Sequence, residues 1–270
     1  AAERELGVSW AKNGKPTVAL WAPTATKVDL LLWSDGRGSG TPQRLEMTRA
    51  ADGTWSIAGD KKWKNRAYRF EVEVYAPSVD EIVTNEVTDP YSVALTRDST
   101  HSVLVDLADK AFRPKEWEKA KQPLVRPVDQ TIYELHVRDF SISDSTVPAA
   151  LRGTYGAFAH KNGNGAKHLK QLAQAGLTTV HLLPTFDIAS IPEDRSTHAE
   201  PDCDLASFAP DSPDQQACIE PIRDLDGFNW GYDPWHFSTP EGSYAVEADG
   251  GKRVAEFRSM VGALHASGLQ

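Results

Sequence analysis

Apolar and polar positions alternate along the first hundred residues and later recur at helical spacing. Thr17-Val18-Ala19-Leu20-Trp21-Ala22 and Lys27-Val28-Asp29-Leu30-Leu31-Leu32-Trp33 are apolar runs on either side of Pro23-Thr24-Ala25-Thr26, and Ser34-Asp35-Gly36-Arg37-Gly38 then breaks the chain. Arg44-Leu45-Glu46-Met47 and Thr54-Trp55-Ser56-Ile57 predict two further strands, with Asp52-Gly53 as the turn between them. Tyr68-Arg69-Phe70-Glu71-Val72-Glu73-Val74-Tyr75 alternates apolar against charged, as a half-buried strand does. His101-Ser102-Val103-Leu104-Val105-Asp106 closes the series. Short strands without a helical stretch among them predict an immunoglobulin-like β-sandwich over residues 1–106.

Residues 107–127 read as a linker, with Pro114, Pro123 and Pro127 around the charged run Lys115-Glu116-Trp117-Glu118-Lys119, itself a connector or short surface helix. The rhythm then changes. Gln130-Thr131-Ile132-Tyr133-Glu134-Leu135-His136-Val137 predicts a strand, residues 166–175 a helix ended by Gly176, Thr178-Thr179-Val180-His181-Leu182-Leu183-Pro184 a second strand, and residues 251–267 a second helix ended by Gly268. Strand, helix, strand, helix is the order of a parallel sheet with crossovers. No glycine-rich phosphate turn comes after either strand, which disfavours a dinucleotide site. Long loops come after both, at about residues 138–163 and 185–250, as in a (β/α)8 TIM barrel, whose active site is built on such loops. Residues 128–270 are therefore expected to be the first part of such a barrel, about two strand–helix units, with the rest beyond Gln270.

Composition narrows the partners. Lys and Arg number 29 and Asp and Glu 38, a formal charge of −9. An acidic chain without a basic run argues against nucleic acid, and no apolar stretch suggests a membrane span. The start Ala1-Ala2-Glu3-Arg4 has no signal peptide's apolar core. Two cysteines, Cys203 and Cys218, lie in a polar, proline-rich loop without the companions of a zinc site. They fit a local disulfide and an extracellular or secreted location; two free thiols are the alternative.

Several chemical motifs fail. Gly250-Gly251-Lys252-Arg253 would need glycine at Val246 and Ser or Thr at Arg253 to be a phosphate loop, and no Gly-x-Ser-x-Gly elbow occurs. What stands out is Phe228-Asn229-Trp230-Gly231-Tyr232-Asp233-Pro234. Flat rings suit the apolar face of a pyranose, and an amide and a carboxylate suit its hydroxyls. Pro234 disfavours helix at Asp233 and leaves ordered loop. The alternative is a loop whose rings cover a core edge.

Thr131-Ile132-Tyr133-Glu134-Leu135-His136-Val137-Arg138-Asp139-Phe140-Ser141 resembles the first barrel strand of debranching enzymes in the α-amylase superfamily (glycoside hydrolase family 13). Asn229-Trp230-Gly231-Tyr232-Asp233-Pro234 resembles the signature of their pullulanase-type members. Pro240-Glu241-Gly242-Ser243-Tyr244 and Glu256-Phe257-Arg258 are similar to the segment next to that signature in the same group. Residues 172–184 resemble their first helix and second strand. Leu20-Trp21-Ala22-Pro23-Thr24-Ala25 resembles a carbohydrate-binding module of family 48.

The resemblance implies retaining hydrolysis of α-1,6 branch linkages in pullulan, starch or glycogen dextrins. Isoamylase, a branching enzyme, or a non-catalytic glucan-binding protein are the alternatives. It implies a glucose ring stacked on Tyr232 in subsite −1, with Asp233 and Asn229 shaping that subsite and Trp230 lining its wall or bracing the loop. Phe228 departs from the tyrosine often found there, and His136, Arg138 and Asp139 are expected mainly as barrel structure. The nucleophile and acid/base, ~5–5.5 Å apart in a retaining enzyme, are expected on later strands, so no catalytic residue is assigned in this chain. Trp33, Trp55 and Trp63 are candidates for stacking glucan in the module. The expected partners are an α-glucan and the remaining barrel strands, with neither nucleic acid nor membrane. No cofactor is required, and calcium is the one metal the resemblance suggests, with Asp202, Asp204 and Asp226 as possible ligands.

Overall fold

The computed structural model describes residues 4–270; the Ala1-Ala2-Glu3 start lies outside the described residues. The first strands are β1 (Gly7–Trp10), β2 (Pro16–Trp21), β3 (Ala25–Leu32), β4 (Gln43–Glu46), β5 (Thr48–Arg49), β6 (Thr54–Ala58), β7 (Ala67–Ala76), β8 (Glu81–Val87) and β9 (Ser102–Val103). They form two antiparallel sheets, β1-β2-β6-β5 and β4-β3-β7-β8, with β9 also paired to β7. Val18, Leu20 and Trp55 from the first sheet meet Val28, Leu30, Leu32, Tyr68 and Phe70 from the second in one buried cluster. Alternation explains the arrangement, since every second residue of a strand faces the same side.

Three strands of the sandwich have no counterpart in the sequence pattern: β1, the two-residue β5 and β8. Strand β8 pairs with β7 along its whole length, yet its residues are mostly exposed, so no buried face marks it in the sequence. The strand expected at 101–106 shrinks to Ser102–Val103. Beyond it the Leu104 N–H donates to Arg66 O (2.9 Å) and the Leu104 carbonyl accepts from Asn65, so the segment closes a turn instead of extending a ladder.

Helix α1 (Lys115–Lys119) occupies the connector. The second part contains β10 (Ile132–Leu135), α2 (Tyr155–Ala159), α3 (Asn164–Gln174), β11 (Thr179–Leu182), β12 (Phe186–Ile188), α4 (Asp214–Ile219), β13 (Pro234–Pro240) and α5 (Lys252–Ala266). Strands β10 and β11 are parallel, in register from Ile132 with Thr179 to Leu135 with Leu182, and α3 makes the crossover. The stretch read as one long loop at 185–250 needs correction. It contains the antiparallel pair β12–β13, whose Pro234 heads the strand at a position needing no ladder donor.

Arg258 lies over the Trp117 ring at 4.5 Å and donates through Nη1 to Leu107 O (2.9 Å) and Phe112 O (2.7 Å), so α5 clamps the connector. Backbone meets backbone at Gly262, where an added Cβ would stand 2.6 Å from Glu116 C and 2.6 Å from Trp117 N. Alanine normally favours a helix over glycine by about 1 kcal/mol. Here the contacted atoms are main chain and cannot rotate away, and overpacking costs about 1–3 kcal/mol. Gly262→Ala is therefore expected to lower the thermal unfolding midpoint; a raised midpoint would show that the connector is not seated there.

A buried charge cluster joins the two parts. Arg253, with no exposed surface, forks onto Glu193 (Nη1–Oε1 2.7 Å, Nη2–Oε2 2.6 Å) and reaches Asp187 Oδ1 at 3.4 Å and Thr96 O at 3.2 Å. His236 Nδ1 meets Asp187 Oδ2 at 2.6 Å, and its Nε2 meets Thr88 Oγ1 at 2.7 Å. From the sandwich side, Ser99 Oγ donates to Asp187, and Asp98 exchanges two bonds with Glu193: Asp98 N–H to Oε2 (2.6 Å), Glu193 N–H to Asp98 Oδ1 (2.8 Å). Asp98 and Ser99 take successive left-handed conformations, φ 56° and 52°, a strained turn held by these bonds. Glu241 sits beside them, accepting from Ile188 N–H and Ser243 N–H at 2.7 Å each. Burial pushes the Glu193 carboxyl up to about 7 against the pull of Arg253, and burial with the Glu193 charge pushes Glu241 up to about 8.

Candidate carbohydrate-binding site

The aromatic loop is positioned by the carboxyl ends of the parallel strands. His136 comes directly after the last residue of β10, and Pro184 comes two residues after the end of β11. Gly231 is buried at φ 78°, where an added Cβ would stand 3.0 Å from Pro184 Cβ and 3.1 Å from Pro184 O. The left-handed turn and the close approach both require glycine. The turn carries Trp230 and Tyr232 outward, at 64% and 69% exposure.

Asn229 ties the loop down from the other side. Its Oδ1 accepts from the Tyr244 hydroxyl (2.7 Å) and lies 3.3 Å from His136 Nε2, while its Nδ2 donates to Gly227 O (3.3 Å). The neighbours of His136 set its tautomer. The Asp139 N–H donates to Nδ1 (3.3 Å), so Nε2 carries the proton and donates to the Tyr244 oxygen at 3.0 Å. Burial, then the Glu241 charge, raises Tyr244 above its ordinary value and keeps its hydroxyl protonated. His136 thus has a definite function in the loop, beyond the general barrel role expected of it; Arg138 bonds Asp139 Oδ1 at 3.2 Å.

Asp233 uses its main chain to fix β12, its carbonyl accepting from Ala189 N–H (2.9 Å), and among the described residues no protein group bonds its exposed carboxylate. Trp230 is not a buried brace: it meets Phe228 edge to face at 5.8 Å and stays open to solvent. Trp235 and Phe237 of β13 extend the exposed aromatics, a feature the sequence pattern did not single out. The arrangement offers open rings, one free carboxylate and a rigid backbone, the parts needed to bind a polyhydroxylated ring.

Residues 5–92 match the family model described as Carbohydrate-binding module 48 (Isoamylase N-terminal domain). The chain is 39% identical over 268 residues to "Pullulanase 1, chloroplastic" of Arabidopsis thaliana, covering 98% of this chain and 28% of that protein. It is 36% identical over 292 residues to the pullulanase of Klebsiella pneumoniae, covering 93% of this chain and 26% of that one. The crystal structure of PulA from Klebsiella oxytoca matches 99% of this chain and 29% of its own, with a TM-score of 0.92 at 33% identity. The chain is homologous to pullulanases. It spans less than a third of these relatives, 28% of the Arabidopsis protein.

In the family 48 module, two of the three tryptophans offered for stacking are corrected. Trp33 and Trp55 are each only 6% exposed, with Nε1 donating to Gly40 O and Ala22 O, both at 3.0 Å. A ring sealed into the sandwich cannot present a face to sugar. Trp63 packs partly against the same core. Trp21 is the open indole, 49% exposed, with its Nε1 donating to Asp52 O (3.2 Å). Period-two alternation had the information: Leu20 faces in, so Trp21 next to it faces out.

Asp202, Asp204 and Asp226 do not gather around a common point. Asp204 and Asp226 instead bond backbone N–H groups of Ala206 (3.2 Å) and Phe228 (2.8 Å). Among the described residues the one group with oxygens close enough for a cation is Asp187, Glu193 and Glu241, within 4.8 Å. It does not fit calcium, because the Arg253 guanidinium already supplies the positive charge there. Cys203 and Cys218 are joined by a disulfide with Cα atoms 6.6 Å apart, closing a loop beside the aromatic segment. No helix among the described residues is long and apolar enough to cross a membrane.

Proposed function

We propose that this chain is the amino-terminal portion of a debranching glycoside hydrolase acting on α-1,6 linkages of pullulan or branched glucan. In this reading residues 1–106 are the glucan-binding module, 107–127 the connector, and 128–270 the opening of a (β/α)8 barrel with its long β12–β13 excursion. The carrying observation is the place of Tyr232: an open ring on a rigid turn, held against the carboxyl ends of two parallel strands. Active sites of (β/α) barrels are built on that edge. The exposed Ile132 and Tyr133 of β10 support further barrel elements as the surface that covers them. The strands bearing the nucleophile and the acid/base belong, in this reading, to the part of the polypeptide that the relatives have and this segment does not align with. The Cys203–Cys218 disulfide supports an oxidising compartment.

Stacking of an aromatic ring on a ligand contributes about 1–3 kcal/mol. In the full polypeptide, Tyr232→Ala is expected to lower kcat/KM on pullulan by roughly 5- to 150-fold, from the same range at 1.4 kcal/mol per tenfold. Unchanged kinetics would remove Tyr232 from the substrate site. The 270 residues alone are expected to release no reducing ends from pullulan, and steady hydrolysis would overturn the placement of the acid and nucleophile elsewhere. Comparing products from pullulan and glycogen separates this activity from that of an isoamylase or a branching enzyme.

A further inference from the structure

Away from the aromatic loop, a groove of about 830 Å³ runs between α3 and α5 beneath the connector. Six lysines line it, Lys115, Lys119 and Lys121 from the connector and Lys161, Lys167 and Lys170 from the second part. Against them stands one acid, Glu116, and neither arginine nor aspartate lines the groove. Among the described residues none of the six lysines is paired with a carboxylate. This concentration of positive charge occurs on a chain whose formal charge is −9. It is therefore a local field, not the overflow of a basic protein.

The groove is rigid where it matters. The seat of Glu116 and Trp117 on Gly262, with Arg258 clamping Trp117, fixes the helix that carries Lys115 and Lys119. Between the lysines the lining includes small side chains, among them Ala120, Ala159, Ala166 and Ala263, together with Phe158 and His265. Its volume lies in the ~300–1,000 Å³ range of small-molecule sites.

We propose that this groove binds a small metabolite bearing two or more phosphate groups. Lysine ammonium groups act as mobile point charges and suit clustered phosphate oxygens, whereas planar carboxylates favour arginine's fork. A long polyanion is disfavoured, because beyond the groove it would meet the acidic remainder of the surface. The site is separate from the aromatic loop and does not depend on the function proposed for that loop.

The test is calorimetric titration of the full polypeptide with inorganic tripolyphosphate at low ionic strength, with sodium chloride of matched ionic strength as control. One-to-one binding is expected, weakened at least about tenfold in the double variant K167E/K170E, because both exposed lysines put their charge at the rim. Both positions are on the solvent side of α3, and an unchanged thermal midpoint would verify that the variant is folded. Lys27→Glu in the sandwich should leave the affinity unchanged. No binding, or equal binding by the K167E/K170E and wild-type proteins, would overturn the site. Tighter binding of poly-glutamate than of tripolyphosphate would overturn the small-ligand form. Titration with ADP and with a hexose bisphosphate then distinguishes a nucleotide from a sugar source, and failure of both would also sink the proposal.

Discussion

Replacing Arg253 with methionine is expected to destabilise the protein by about 3–5 kcal/mol, the usual cost of leaving a buried charge without its partner. The guanidinium is completely buried and holds Glu193 through two bonds, with Asp187 alongside. Methionine fills much of the volume and removes the charge, leaving the carboxyl groups of Asp187, Glu193 and Glu241 together without the guanidinium. The loss is also a loss of docking, because Arg253 donates to Thr96 O of the sandwich side. Urea unfolding followed by tryptophan fluorescence measures it. Lys252→Met, one residue away but exposed, should change stability by no more than about 0.5 kcal/mol. Measured at pH 8, where Glu193 is ionised, a double variant with Glu193→Gln should recover part of the loss, since the charge stranded at that pH is then gone as well. If Arg253→Met were as mild as Lys252→Met, the cluster would not be a structural joint.

The second large effect is on the pH dependence of stability. Folded Glu193 and Glu241 keep their protons up to about 7 and about 8, against an ordinary 4.5. Between those limits the folded protein binds more protons than the unfolded chain, so stability must fall as pH rises. The contribution is complete below pH 4.5 and disappears as pH climbs through about 7 to 8. Glu241→Gln removes one of the two protons from this balance. Its carboxamide also sets an N–H₂ against a backbone donor, Ile188 or Ser243, so absolute stability drops. The diagnostic quantity is therefore the slope: unfolding free energy should change less between pH 5 and 8 in the variant than in the wild type. Identical slopes would show that Glu241 is ionised throughout. Asp60, Asp109 and Asp194 act in the opposite sense and at lower pH, because backbone or hydroxyl hydrogen bonds hold their carboxyls below the usual range.

These two experiments address residues that the sequence presents as ordinary surface charges. Arg253 first appears as the residue that spoils a phosphate loop, Glu241 as one member of a segment similar to that next to the signature, and Glu193 as one more acid of the composition. The partners lie too far away along the chain to be paired by inspection. Glu193 is 60 residues from Arg253, and Thr96 is 157. The Asn229 lock is similar, with His136 at 93 residues' distance. Burial of the module tryptophans was only half legible, since a strand's alternation shows which residues share a face but not which face is covered. Trp21 and Trp55 have similar local surroundings in the sequence. One is sealed because it stands opposite inward-facing Leu20 in the pairing of β2 with β6; the other is open because it comes one place later on β2.

What the sequence determined by itself is the local part: alternating strands, the βαβ order of the second half, and the aromatic loop with its glycine turn. Those features depend on neighbours within a few residues, through side-chain periodicity and backbone sterics, and so they can be read in order. Only the tertiary structure decided which rings face water, which acids surround Arg253, and which lysines line the groove between α3 and α5. Burial and electrostatic pairing are set by distance in space, and the fold brings together charges that the chain keeps far apart.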